Sequence, residues 1–222
     1  MHFGGIVMLE FIGITLSFIY IFLIIALGGL VGKKDPEAGR KFIHILLSNW
    51  WFIAMIFFRS AMYASLVPLI FIAVNYLSYR FRIFSSMERA DGGVEGLGTV
   101  YYAISLFLLA AISFSQNLQH IDDLAILIMG YGDGLAALIG KRFPIIAYSV
   151  GGSRKSLGGS LTMFFASLAV AFLILFLTGS YSPAAILTLA IAATLLEALT
   201  PKGLDNLSVP LGVYTLYLIF FL

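Results

Sequence analysis

The chain contains no cysteine, which excludes disulfides, thiol catalysis and any Cys-ligated metal. It is also poor in charge: 11% of its residues are Asp, Glu, Lys or Arg, against 61% that are hydrophobic. A soluble domain of this length has no means of hiding so much apolar surface. Polar stretches are too short to build a separate soluble domain. No internal repeat is apparent, which argues against an inverted-repeat transporter. A net charge of +2 gives no basis for a nucleic-acid partner; where the charges fall matters more than their sum.

What fills the chain is apolar runs. A spanning helix needs roughly 20 apolar residues, and eight segments qualify or come close: about 6–31, 42–58, 61–79, 97–115, 124–139, 160–178, 183–199 and 208–222. The expected fold is all-α, a polytopic integral-membrane bundle of about eight transmembrane helices forming a single domain over 1–222. The first segment is too long for a signal-peptide core and lacks a basic leader, so it reads as a retained helix. The last segment, from Ser208, is about 22 Å of helix at 1.5 Å per residue, short of a core of about 30 Å. Either the bilayer thins there or the helix starts earlier, which would draw Asp205 and Asn206 to headgroup depth.

Charge is distributed unequally between the two sides. Lys33, Lys34, Arg40 and Lys41 fall in the first connecting loop, Arg80, Arg82 and Arg89 in the third, Lys141, Arg142, Arg154 and Lys155 in the fifth, and Lys202 in the seventh. Arg59 alone falls on the other side. Lys and Arg stay cytoplasmic, so the odd loops are expected in the cytosol with both termini outside. Glu10, Asp122 and Asp123 then read as interfacial or solvated outer charges, and Asn75 as an outer-half polar residue. Pro68 reads as a tolerated kink. Pro36 is placed to open a short helix that runs into the second span. Phe81, Phe84 and Met87 beside Arg80, Arg82 and Arg89 fit a short helix in the headgroup zone, followed by an Asp91-Gly92-Gly93 turn.

The odd loops also hold every segment with chemical potential. Arg40, His44 and Ser48 recur four apart and share a helix face. In MGYGDGLAALIGKRF, Asp133 lies inside a span, where a carboxylate costs about 2.5–3.5 kcal/mol and must be paired, hydrated or metal-bound. Pairing with a Lys or Arg from another helix is the structural alternative, and the spacing of Gly130, Gly132, Gly134 and Gly140 suits close helix packing. In SVGGSRKSLGGS, two Gly-Gly pairs flank Arg154-Lys155-Ser156, so backbone N–H groups and the following helix start near Ser160 can converge on an anion. A flexible basic loop touching anionic lipid is the alternative. It is not a Walker A loop, because Arg154 stands where Gly must precede Lys. Glu197, Asp205 and Asn206 add hard oxygen donors of the kind Mg²⁺ takes with substrate phosphates, although Asp and Asn before a helix are also ordinary caps.

The segments GRKFIHI (39–45), GTVYY (98–102), GDGLAALIGKR (132–142), RKSLGGS (154–160), EAL (197–199) and DNLSVPL (205–211) resemble, in order, those of the CTP-dependent lipid-alcohol kinases. That family includes phytol, farnesol and dolichol kinases and a yeast-type diacylglycerol kinase, and is related to phosphatidate cytidylyltransferase. The signature of the latter, a Lys-Asp segment followed by His-Gly-Gly and Asp-Arg, is missing here. The segment Phe143-Pro144 departs from the glycine that many relatives carry after the aromatic. The resemblance implies CTP as phosphoryl donor, Mg²⁺ as cofactor and a membrane lipid alcohol as acceptor. It implies catalytic roles for Asp133, Lys155, Asp205 and His44, with metal held by Asp133, Asp205 and Glu197. Nucleotide contacts are expected from Gly132, Gly134, Lys141, Arg154, Ser156, Gly158, Gly159, Ser160, Asn206, Arg40 and Lys41.

The expectation is therefore a multi-pass kinase of the cytoplasmic membrane with a cytosol-facing site. It would phosphorylate an isoprenoid alcohol such as phytol, farnesol or a polyprenol, with diacylglycerol as an alternative acceptor. Transfer of a cytidylyl group to phosphatidate is a second reading of the same site. A third is an ion-coupled transporter using Asp133, His44 and Glu197 as relay groups.

Overall fold

The computed structural model of the protein describes residues 3–84, 94–116 and 118–221. Helix α1 (Phe3–Gly32) leads to α2 (Pro36–Ser48), α3 (Trp50–Phe57) and α4 (Ala61–Phe81). A 3-10 turn at Val94–Leu97 then opens α5 (Gly98–Gln116). Helix α6 (Gln119–Leu127) passes through a π-helical stretch, Ile128–Asp133, into α7 (Gly134–Arg142). A hairpin of β1 (Ala147–Val150) and β2 (Ser153–Ser156) precedes α8 (Leu157–Leu177), α9 (Pro183–Leu199) and α10 (Asp205–Phe221). Met87, Arg89 and the Asp91-Gly92-Gly93 turn expected in the third loop lie outside the described residues.

Among the described residues, five helices are long and apolar enough to cross a membrane: Gly4–Gly32, Ala61–Phe81, Gly98–Gln116, Ile121–Arg142 and Leu157–Leu177, with Pro183–Leu199 a shorter apolar one. The architecture is the all-α polytopic bundle expected, with one added hairpin. Burial identifies its centre. The Ile121–Arg142 helix has 67% of its most apolar window buried, against 28% for Gly4–Gly32, which leaves residues such as Phe11, Ile19 and Leu23 exposed on the outside. Apolar side chains facing outward all round are what lipid requires of a spanning helix.

Local chemistry sets the helix ends. Asp35 caps α2, accepting from the N–H groups of Glu37 and Ala38, and Pro36 occupies the first turn. Ser156 caps α8 through Gly159 N–H at 3.1 Å. Asn49 breaks the second expected span into α2 and α3, its backbone tightening to Leu46 O while its side chain exchanges hydrogen bonds with Tyr131. The last helix starts at Asp205, earlier than its apolar run.

Helices α1 and α2 meet at glycine. Gly28 and Gly32, four apart on α1, face Gly39, where an added Cβ would collide with the backbone of α1. This small-residue contact lets two membrane helices touch without intervening side chains. Below it, Trp50 and Trp51 are fully buried, and Trp50 Nε1 donates to Ser17 Oγ at 2.8 Å.

Three polar residues at the far end depart from the sequence reading. Asp122 is 0% exposed and Asp123 6%, and neither is solvated. Glu10 is buried and accepts the Arg59 N–H at 2.9 Å, closing the α3–α4 turn onto α1. Packing of α10 against α6 and α5 covers the start of α6, which an apolar-run count could not show.

Candidate active site

The odd loops gather at one end of the bundle. Lys141 of α7 pairs with Asp35 ahead of α2 at 3.1 Å. Lys202 N–H, between α9 and α10, donates to Ser153 Oγ of β2 at 2.9 Å. Gly98 lies close against Asn206. Between these elements lies a cavity of about 570 Å³, within the range of small-molecule sites.

Each wall contributes a charged group. The π-helical stretch widens the turn that presents Asp133, a device frequent at functional sites. Gly130 and Gly134 let Ser48 and Ile45 of α2 close in on this stretch, and Gly132 admits Met163 of α8. Asp133, 6% exposed, receives Lys41 Nζ on Oδ2 at 2.5 Å, with His44 Nε2 3.2 Å from the same oxygen. His44 Nε2 also lies 3.3 Å from Met129 O, and its ring packs edge-on against Tyr102. Both neighbours of Nε2 are acceptors, so Nε2 bears the hydrogen and Nδ1 the lone pair.

The second cluster is held by the hairpin. Gly151 and Gly152, at φ +54° and +89°, form the two-residue turn that a tight hairpin requires. The turn lies against Pro201, and β2 carries Lys155 between α9 and α10. Lys155 Nζ donates to Glu197 Oε1 at 2.5 Å, to Glu197 O at 2.8 Å and to Asp205 Oδ2 at 2.9 Å. Burial works against the charged ammonium, but Asp205 and Glu197 outweigh it, with Asp133 adding to them, and hold the Lys155 pKa above the usual lysine value. At the exposed rim, Lys141 and the Ala38 N–H hold Asp35 below the ordinary carboxyl value.

The two clusters are one. Asp133, Glu197 and Asp205 each offer an oxygen within 4.8 Å of the others. Glu197 Oε2 and Asn206 Oδ1 are buried acceptors with no hydrogen-bond partner among the described residues. Three carboxylates, two lysines and spare acceptors around one pocket are a set of groups that could hold a divalent cation.

Comparison with known proteins agrees with that chemistry. The chain is 36% identical over 187 residues to a phytol kinase from Synechocystis sp., an alignment covering 81% of this chain and 77% of that one. The chain belongs to the phytol kinase family of lipid-alcohol kinases. It is also 28% identical over 228 residues to a probable chloroplastic phytol kinase 1 of Oryza sativa subsp. japonica, covering 89% of this chain and 70% of the relative. A probable chloroplastic phytol kinase 1 of Glycine max is 28% identical over 194 residues, covering 78% and 63%. No family model matches, and no solved structure does.

As a member of this kinase family, the chain brings most of its expected site residues to one cavity. Arg40, Lys41, His44, Asp133, Lys141, Arg154, Lys155, Ser156, Gly159, Ser160, Glu197, Asp205 and Asn206 all line it. Arg40 is engaged with Glu37 on its own helix, and it is Lys41 that reaches Asp133. Gly132, Gly134 and Gly158 do not line the cavity; they pack against Met163, Ile45 and the Phe143 carbonyl. The reading of 149–160 as a glycine-basic loop gives way over Ser149–Ser156 to the hairpin, whose signal is a Gly-Gly pair between short alternating segments. Asn75 also departs from expectation. It lines this cavity, and the cue was its position near the basic end of α4.

Proposed function

We propose that the protein transfers the terminal phosphoryl group of CTP to the hydroxyl of an isoprenoid alcohol held in the membrane, at the face that carries its Lys and Arg. The observation that supports this most is the meeting of Asp133, Glu197, Asp205, Lys41 and Lys155 around one cavity, in a chain of the phytol kinase family. The Synechocystis relative, a phytol kinase, motivates an isoprenoid acceptor, and the family resemblance motivates CTP. The density of Lys and Arg in the odd loops motivates a cytosolic site, with the whole chain acting as one transmembrane unit.

The residues fit the magnesium ion that this chemistry requires. Three carboxylate oxygens lie within 4.8 Å of one another, and the Lys155 ammonium already rests between two of them as a stand-in cation. Mg²⁺ held by Asp133, Glu197 and Asp205 would neutralise charge on the nucleotide phosphates. Lys41 and Lys155 supply fixed positive charge beside the carboxylates. Lys141, Arg154 and Lys202 stand at the rim, where they draw a triphosphate in. In the transfer, the alcohol oxygen bonds to the terminal phosphorus and the bond from that phosphorus to CDP breaks. The alcohol proton passes to His44 Nδ1, Nε2 being committed to Asp133 and Met129, or to one of the carboxylates.

The test uses purified protein in detergent with Mg²⁺, γ- and α-labelled CTP, ATP as competitor, and a panel of isoprenoid alcohols, diacylglycerol and phosphatidate. Label moving from the γ position to an isoprenoid alcohol, with CDP released, is the expected result. Label moving from the α position to phosphatidate, with pyrophosphate released, would overturn it.

A further inference from the structure

The active-site cavity continues into an apolar slot of about 40 Å³ between α1, α3, α4 and α5. Ile21, Trp50, Val67, Phe71 and Leu106 form its sides, and Leu47, Asn75 and Tyr102 belong to both spaces. Of the two polar groups at the junction, Tyr102 already donates its hydroxyl to His44 O at 3.3 Å, which leaves Asn75. It is 7% exposed, and its Nδ2 donates to Thr99 O at 2.9 Å. Only the nitrogen can make that bond, so the amide orientation is fixed. The opposite atom, Oδ1, is buried and has no hydrogen-bond partner among the described residues. A buried acceptor without a donor is costly unless something supplies one.

We propose that Asn75 and this slot are the acceptor subsite: Oδ1 accepts the hydrogen bond of the substrate hydroxyl, and the slot takes the isoprene unit next to it. The proposal rests on the kinase reading above and adds where the alcohol binds and which residues choose it. The occupant follows from the lining. A molecule with one O–H donor at the end of a branched hydrocarbon matches an unpaired acceptor at the mouth of an aliphatic and aromatic pocket. The slot is too small for a whole prenyl tail. Phe71, one of its walls, packs at a tilt against Phe22, which is 48% exposed on the outer surface of α1. The remainder of the tail therefore leaves toward lipid along the Phe22–Phe71 seam. Pro68 lines the slot as well; α4 runs through it unbroken, and its missing N–H removes one helix hydrogen bond there.

Asn75 presents only an acceptor and takes no proton. It holds the hydroxyl before reaction on the same cavity wall as Tyr102, next to His44; as the oxygen attacks, its single hydrogen turns from Oδ1 to His44 Nδ1 or a carboxylate, which takes the proton. Removing one neutral hydrogen bond predicts a loss of roughly 3- to 10-fold, confined to the alcohol.

The experiment combines kinetics with photolabelling. Asn75→Leu should raise KM for the isoprenoid alcohol by about that factor while KM for the nucleotide stays fixed, and Asn75→Ser, which retains an acceptor, should recover part of the loss. Ala103→Leu, which narrows the slot, should raise KM for branched isoprenoid alcohols more than for straight-chain alcohols, and Leu106→Ala should do the reverse. A shift in nucleotide KM, or unchanged alcohol KM in all four variants, would overturn the assignment. An isoprenoid alcohol with a diazirine in the isoprene unit nearest the hydroxyl provides a readout independent of turnover. Cross-links on α4 and α5 at Val67, Phe71 or Leu106 support the subsite even if no phosphoryl transfer is found. Cross-links confined to lipid-facing residues refute it even if transfer is robust.

Discussion

Asp133 and Asp122 are both carboxylates buried in the same continuous helix, yet their surroundings assign them opposite fates. Asp133 meets Lys41 and His44 beside two further carboxylates. Asp122 has neither carboxylate oxygen hydrogen-bonded among the described residues, and Ser113 Oγ and Tyr214 OH are likewise buried without partners. Asp133→Asn is expected to abolish phosphoryl transfer while the protein still inserts and purifies as a folded species; retained turnover would remove Asp133 from the mechanism. Asp122→Asn keeps the shape of a buried acid that has no cation paired with it among the described residues, so activity should persist and the detergent melting temperature should hold or rise. A large drop would mean that Asp122 has a structural partner after all. Lys155 is the third informative residue. Replacing it with Met leaves Glu197 and Asp205 buried and uncompensated, a loss of about 3–5 kcal/mol for a broken buried pair. If those carboxylates form a cation site, Mg²⁺ should raise the melting temperature of Lys155→Met more than that of the parent. Equal shifts would dissociate the triad from the metal. The raised pKa of Lys155 carries a sign: its stabilising charge is fully present below the usual lysine pKa and is lost only as pH rises through the higher folded value. An alkaline limb of the rate profile near neutral pH must therefore come from another group.

Elements differ in how much of them the sequence discloses. Long apolar runs mark α1, α4, α5 and α8 directly, and the inference that the last helix starts at Asp205 follows from length alone, since the remaining run is too short to span. Pro36 after Asp35 signals the start of α2 in the same way. What composition hides is contact. Asp133, Lys155, Glu197 and Asp205 are visible as candidates because charge is expensive in a membrane, but which lysine meets which carboxylate depends on how α2, the π-helical stretch, β2, α9 and α10 are placed and rotated. Asn75 was misplaced for this reason: neutral amides carry little depth information. The hairpin was missed because its strands are only four residues each, and its Gly-Gly turn also suits an anion loop. The α1–α2 contact offers a test at this scale. At Gly39 a side chain would strike the Gly32 backbone, so Gly39→Val is expected to cost about 1–3 kcal/mol as overpacking. Because Lys41 lies two residues on, phosphoryl transfer should fall with it. Gly5→Ala, where an added Cβ meets nothing within 4 Å, is the matched control. If both variants melt alike, helix approach at Gly39 is not tight.

At the scale of the whole molecule, the arrangement separates two tasks across the bilayer. One end collects the ion-pair cluster, the hairpin and the basic rim; the other is closed by Glu10 on the Arg59 turn and by Trp51 bonded to the Gln119 carbonyl. Phosphoryl transfer between a water-soluble nucleotide and a lipid needs such polarity, because one substrate arrives from solvent and the other from the side. The ion-coupled transporter reading asks for polar groups continuing through the bundle; Asp122 and Asp123 are buried at the far end, and the core also holds the fully buried apolar side chains Trp50, Trp51, Leu109, Leu124 and Ile128. Orientation is open to a direct test, because the absence of cysteine makes the native chain its own labelling background. Lys34→Cys and Lys202→Cys report the cavity end, and Tyr181→Cys, exposed between α8 and α9, reports the other. With a membrane-impermeant maleimide on intact cells, Tyr181→Cys should label at once, and Lys34→Cys and Lys202→Cys only after permeabilisation. The reverse pattern would place the cavity outside, away from the cytosolic nucleotide pool, and would rule out CTP drawn from that pool as the donor. Labelling of all three in intact cells would break the bundle topology itself, since the two ends would no longer lie on opposite sides of one membrane.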